Sequence, residues 1–368
     1  PLVYYYLASY TEKVGNRNKA QEHVRKASAA EPDFVFPHRV ESEAILRKAL
    51  EELSQDGKTA YYLGNLLCSR DRHMEAYQIW KSASEKLKGF SVVHRNLGKV
   101  AWKALDDPDA AVEAYEKSLE CDPNDYKIIC ELDELYKKCG FTERRRQLIE
   151  NIPARLMGND MIAERACDFF TDIKEFDRAL EILHAAHFFP WEAYTEARKI
   201  YVDANIGRGY LYIKSKNHKE AVASFNEAMK YPRNIGVGEP AKKAHAEPLY
   251  LMGCAFEMMG DKESARVFWD RAQAEQRHTI DCLSYYKAMA LKRLGRIKEA
   301  EQILEDLISY AGEKSVSEGE KEAHSLYLLG LAHKGKDKKA KAECLFRKAA
   351  AMDYTHRRSR WEVEGLAI

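Results

Sequence analysis

Few side chains in this 368-residue chain have types and spacings that could do chemistry, and each is limited by its neighbours. His184 and His187 stand three residues apart, so on a helix they would share a face and could present two imidazoles to a metal ion. No carboxylate or cysteine stands at a matching offset, and the pair reads as structural. Arg144, Arg145 and Arg146 could form an anion patch, but Glu143 and Glu150 flank them on the same helix, so a solvated, internally balanced face is expected. Eight cysteines, at positions 68, 121, 130, 139, 167, 254, 282 and 344, include no C-x-x-C pair and no zinc-finger spacing to histidine. They read as reduced, mostly buried thiols, which sets the expectation of a cytoplasmic protein. No G-x-S-x-G, phosphate-binding loop, G-x-G-x-x-G or kinase signature occurs. The expectation is therefore a chain without catalysis, metal or cofactor.

The elements that would have to position any site are all helical. Lysine and arginine number 59 against 58 aspartates and glutamates, so no global field favours nucleic acid or an anionic membrane. No run approaches the apolar length of a membrane span. The clearest unit runs from Ala246 to Gln276. Leu249, Met252, Gly253 and Phe256, then Ala265, Phe268, Trp269 and Ala272, each follow the i, i+3, i+4, i+7 rule of a one-faced helix, with Gly260-Asp261 between them. Small residues at 253, 265 and 272 let the two helices approach closely.

The same pattern of Leu-Gly, alanine, aromatic and alanine recurs along the chain. It is carried by Leu7, Ala8, Ala20, Val24, Ala27 and Pro32; by Leu63, Gly64, Ala76, Trp80 and Ala83; and by Leu97, Gly98, Ala111, Tyr115, Ser118 and Pro123. An extra helix, 36 to 53, separates the first two units. From Asn124 the match weakens, with Cys130-Glu131 in place of Leu-Gly. It recovers around Ala166, Phe170 and Ala179, and again around Gly209, Ala221 and Phe225, Ala288 to Leu304, and Leu329 to Ala349.

This pattern resembles the tetratricopeptide repeat, a helix-turn-helix unit of about 34 residues. The resemblance implies an all-α fold, a right-handed α-α superhelix of about nine hairpins, and a single solenoid over 1–368. Within it, 1–123 are regular repeats and 124–190 degenerate ones. Residues 191–310 are further repeats with a loop at 231–240, 311–322 form a polar, flexible connection, and 323–368 hold the last repeat and a terminal packing helix. The phrases YYLGNLL (61–67), HRNLGKVAW (94–102), FFPWE (188–192) and YPRNIGVGE (231–239) further resemble the C-terminal repeat region of large bacterial proteins of unknown function. In that family the N-terminal half looks like a sugar-mutarotase-type β-sandwich, which implies a link to carbohydrates. The chain opens on Pro1 and enters VYYYLASY with no polar cap, so a preceding segment covering Tyr4 and Val3, or homo-oligomer formation there, is expected.

The resemblance also nominates site residues. Tyrosine recurs at one position of the first helix in five units, as Tyr5, Tyr61, Tyr250, Tyr285 and Tyr327. In the resembled family that face lines the inner groove, and Arg95, Lys99 and Trp102 extend it beside Tyr61 and Asn65. Either these rings contact a ligand or they pack between adjacent first helices. Asn65 and Asn96 lie where clamp-type members grip a peptide C-terminus, but Tyr61 and Asp125 stand where the clamp needs positive charge, so the clamp is incomplete. The loops 187–194 and 231–240 are expected to meet, with Trp191 either stapling a helix start or walling a pocket with Asn234. The leading expectation is a non-catalytic scaffold that binds a peptide or protein, with no nucleic acid and no membrane. The alternative is the accessory half of a larger carbohydrate-related enzyme or binding protein, in intramolecular contact with its N-terminal domain.

Overall fold

The computed structural model describes residues 1–52, 57–190, 196–241, 243–275, 280–314 and 320–368. Among these the fold is all-α: every regular element is helical, and no strand is present. None of these helices is long and apolar enough to cross a membrane. The chain gathers into two compact units, residues 1–135 and 136–368.

The first unit contains α1 (Leu2–Lys13), α2 (Arg17–Ala29), α3 (Glu41–Glu52), α4 (Gly57–Cys68), α5 (His73–Lys86), α6 (Ser91–Lys103), α7 (Pro108–Cys121) and most of α8 (Tyr126–Lys138). α1 with α2, α4 with α5, and α6 with α7 form hairpins. Their turns carry residues in the left-handed region, Gly15, Asp71 and Asp106. Asn16 and Asp107 cap the helices that follow, and Pro108 occupies the first turn, where its missing N–H is not needed. The close helix approach has a simple cause. A Cβ at Gly64 would lie 2.3 Å from the Trp80 indole, and one at Gly98 would lie 2.7 Å from the Tyr115 ring. The expected extra helix begins at Glu41 rather than Phe36. Pro37 disfavours helical backbone at the residue before it, and Phe36 lies exposed.

The second unit contains α9 (Thr142–Glu150), α10 (Asp160–Asp172), α11 (Phe176–Ala185), α12 (Glu196–Lys214), α13 (His218–Ala228) and α14 (Ala246–Met258). It continues with α15 (Lys262–Ala274), α16 (Cys282–Arg293), α17 (Ile297–Lys314), α18 (Glu320–Gly335), α19 (Lys339–Met352) and α20 (Arg357–Val363). Successive pairs from α10–α11 to α18–α19 are hairpins that stack on their neighbours. The same lock recurs, with Gly209 against Phe225, Gly253 against Trp269 and Gly330 against Phe346. Where the sequence suggests a degenerate hairpin after Asn124, the boundary between the units falls inside α8. Of the expected polar connection, 311–314 and 320–322 are helical, and 315–319 lie outside the described residues. The terminal helix does more than cover the last repeat. α20 buries Trp361 edge-on to Phe176, at 5.7 Å between ring centroids, and reaches back to α10, α12 and α14.

Candidate functional site

In the first unit, the tyrosines expected along the groove are buried between first helices. Tyr5 hydrogen-bonds Thr59 at 2.7 Å, and Tyr61 packs edge-on to Phe90 at 5.1 Å and against Tyr62 at 5.6 Å. Burial pushes the Tyr61 phenol above its ordinary pKa, and a hydrogen bond with Asn65 partly offsets the rise. Their neighbours on α4 and α6 keep contact with water. The Asn96 amide donates to Asn65 Oδ1 at 3.3 Å, Lys99 is exposed, and half-buried Trp102 carries the Lys103 ammonium 3.4 Å from its ring centroid. Lys99 has no ion-pair partner among the described residues. Arg95, by contrast, is engaged: its Nε donates to Glu131 at 2.9 Å, and its Nη2 bonds the same carboxylate. Glu131 was not expected as the partner of Arg95, although opposite charge about one repeat away is a readable signal. Asp125 accepts from Lys127 N at 2.8 Å in the first turn of α8.

In the second unit, Tyr250, Tyr285 and Tyr327 are likewise buried. Tyr250 and Tyr285 lie 5.9 and 5.0 Å from Tyr286, and Tyr327 lies 4.9 Å from His356, between ring centroids. Burial raises all three phenol pKa values. The strongest electrostatic feature of this unit lies beside them. Asp168 and Asp172 on α10, Asp203 on α12 and Glu247 on α14 face three arginines of α20. Arg357 donates to Asp172 at 2.8 Å, to Asp203 at 3.0 Å, and to Asp168. Arg358 reaches Asp203 at 2.9 Å and Glu247 at 2.7 Å, and Arg360 reaches Asp172 at 2.7 Å. Tyr286 donates its hydroxyl to Glu247 at 2.9 Å.

Two further cations complete the network. Lys137 donates to Asp168 at 2.7 Å, and Arg145 forks across Asp172 at 2.6 Å and Asp168 at 2.7 Å. Burial alone would push both aspartates up. Lys137, Arg357 and Arg145 outweigh it and hold both carboxyls below the usual carboxylate range. This corrects the reading of 144–146 as a solvated face: Arg144 and Arg146 keep that character, but Arg145 is buried among aspartates. Helical spacing explains the split, because only the middle residue of three falls on the inward side. His184 and His187 are exposed, their rings edge-on to Tyr201 and Phe189.

The two irregular loops of this unit do meet. Asn234 donates its amide to the carbonyls of Leu183 at 2.7 Å and Ala186 at 2.9 Å, while its own carbonyl accepts from Phe188 N at 2.7 Å. Gly236, at φ +73°, lies so close that a Cβ there would meet the Phe188 carbonyl oxygen at 2.4 Å. An open cleft of about 760 Å³ lies alongside, lined by His187, Phe188, Pro190, Tyr231, Arg233 and Val237. Trp191, expected to wall such a cleft with Asn234, lies outside the described residues. Asn234 instead ties off carbonyls at the end of α11 that no helical N–H reaches.

Residues 96–125 and 202–235 match the tetratricopeptide repeat family model. Among solved structures it is similar to a tetratricopeptide repeat protein from Parabacteroides merdae ATCC 43184, at 15% identity over 75% of this chain and 98% of that one, with a TM-score of 0.43. MamA matches at 17% identity over 50% and 91% of the two chains, with a TM-score of 0.37. YrrB, described as a tetratricopeptide repeat protein with an unusual peptide-binding site, matches at 14% identity over 63% and 92%, with a TM-score of 0.33.

Proposed function

We propose that this chain is a non-catalytic interaction module and that the face of α4 and α6 in its first unit binds an extended peptide or protein segment. The observation that supports this reading is the group Asn65, Asn96, Lys99 and Trp102, which is half-buried or exposed beside a fully packed row of tyrosines. A primary amide offers two donors and one oxygen acceptor; Asn65 meets Asn96 and the Tyr61 phenol, and Asn96 meets Asn65, which leaves part of the capacity of both amides open. Two such amides on successive first helices suit a peptide backbone, which presents alternating N–H and C=O groups. Trp102 adds apolar contact area and Lys99 adds a charge, while Arg95, held by Glu131, fixes the spacing of α6 to α8. Tyr5 and Tyr61 form the floor and act by packing.

The test is affinity selection of peptides from a random library on the intact chain, followed by calorimetry. For a selected peptide, Asn65→Ala with Asn96→Ala weakens binding about tenfold to a hundredfold, at roughly 0.5–1.5 kcal/mol for each lost hydrogen bond. Selected peptides that bind the double variant as tightly as the original chain refute the assignment to this face.

A further inference from the structure

A solenoid repeat ordinarily touches only its neighbours. α20 departs from that rule, since Arg357 bonds Asp168 and Asp172 across 189 and 185 residues of sequence. The surface it reaches is acidic. Asp168, Asp172, Asp203 and Glu247 come from α10, α12 and α14, the first helices of three successive hairpins, and all but Asp203 are buried. What α20 brings is short and dense in one chemistry: Arg357, Arg358, Arg360 and Trp361 lie within a seven-residue helix. Its guanidiniums spread over all four carboxylates, and Trp361 fills the space against Phe176.

Two physical arguments give this arrangement a consequence. The face cannot stand empty at low cost, because its four carboxylates would keep only Lys137 and Arg145 as cationic partners from this network. Yet the face responds to guanidinium groups at the right spacing and not to the chain that supplies them. Arginine's planar fork sets that preference, since it matches a carboxylate with two parallel hydrogen bonds. Replacing one arginine helix by another therefore conserves nearly every buried ion pair, whereas simple opening conserves none of those made by α20.

We propose that the acidic face of α10, α12 and α14 is a docking surface for an arginine-rich helix, that α20 is its resident occupant, and that a partner presenting an Arg-Arg-x-Arg-Trp helix binds there by displacing α20. This surface is separate from the α4–α6 face, and neither reading depends on the other. Because α20 is tethered, it competes at a high effective concentration, so an external helix binds the intact chain weakly and binds strongly once α20 is loosened.

The experiment uses a fluorescent peptide with the sequence of residues 354–368, titrated by anisotropy into the full chain and into its Arg357→Ala/Arg358→Ala variant. The expected result is binding to the variant at least tenfold tighter than to the intact chain, and at least tenfold tighter than that of a peptide with its arginines changed to glutamine. A variant with undiminished helical circular dichroism that fails either comparison overturns the proposal. If the variant does not fold, hydrogen exchange on the intact chain decides. Exchange of α20 amides through an opening that leaves α10 and α12 protected supports displacement, and exchange of α20 only together with them overturns it.

Discussion

Asp172→Asn is the sharpest probe of the second unit, because one carboxylate there accepts from three arginines and lies 3.7 Å from a fourth cation, Lys137. Its oxygens accept from Arg145 at 2.6 Å, Arg357 at 2.8 Å and Arg360 at 2.7 Å. Asparagine keeps the shape but removes the charge, and it turns an N–H donor toward guanidiniums that can only donate. Five cations, Lys137, Arg145, Arg357, Arg358 and Arg360, would then face three carboxylates, Asp168, Asp203 and Glu247. Removing one partner of a buried pair destabilises by about 3–5 kcal/mol, against a total of about 5–15 kcal/mol for a folded domain. In the full chain, urea titration read by hydrogen exchange should show α10 and α20 losing roughly a hundredfold or more of their protection, while α4 and α5 in the first unit keep theirs. The variant should also flatten the acid limb of stability. The Asp172 carboxyl is depressed in the fold, so its contribution is present above the ordinary carboxylate pKa and is lost as pH falls below it. A loss under about 1 kcal/mol, the upper range for solvent-exposed ion pairs in general, would refute the reasoning.

Gly209→Ala should destabilise by about 1–3 kcal/mol or more, because its Cβ would sit 2.2 Å from the Phe225 ring; Gly158→Ala, with nothing within 4 Å, should be nearly neutral. Thermal unfolding of the pair tests the lock, and equal effects would contradict it. Glu164→Gln should stabilise the chain at alkaline pH. Burial lifts the Glu164 carboxyl from 4.5 to about 7, so the folded state holds the proton more tightly and a penalty builds as pH rises through that window. A rise of that size corresponds to a few kcal/mol, at roughly 1.4 kcal/mol per pH unit. The gain over the original chain should therefore be largest above pH 7 and vanish below pH 4.5. A pH-independent difference in urea midpoint would contradict the assignment.

The hairpins were legible because a helix writes its buried face at a fixed period. Gly253, found from spacing alone, does meet Trp269, and the same partnership appears for Gly64 with Trp80 and Gly330 with Phe346. Periodicity identifies a buried face without saying what covers it. That is why the tyrosine row could be found while contact with a ligand and packing between helices stayed equally open; Tyr5 bonded to Thr59 and Tyr61 against Phe90 show packing. The inward role of Arg145 and the ion pairs of α20, which was read only as a terminal packing helix, escaped for a related reason. Arg-Arg-Arg and Arg-Arg-Ser-Arg look like solvated charge, and only contacts 23 to 189 residues away turn them inward. Asp168 and Asp172, four residues apart on one helix face, were the counter-signal available in the sequence.

Each unit places different chemistry beside its own buried tyrosines, and that difference bears on what each can bind. On α4 and α6 the polar groups beside the row are amides and a lysine, which water can satisfy at little cost, so the surface is stable when bare. A ligand there gains only from hydrogen bonds that improve on water and from apolar cover at Trp102, and such binding is modest in strength and tolerant of sequence. On α10, α12 and α14 the groups are carboxylates, mostly buried, which require positive charge at fixed places and already receive it from α20. A ligand there must reproduce a specific arginine spacing before it can bind at all. Under the two proposals, the first face would accept many extended segments and the second one kind of helix.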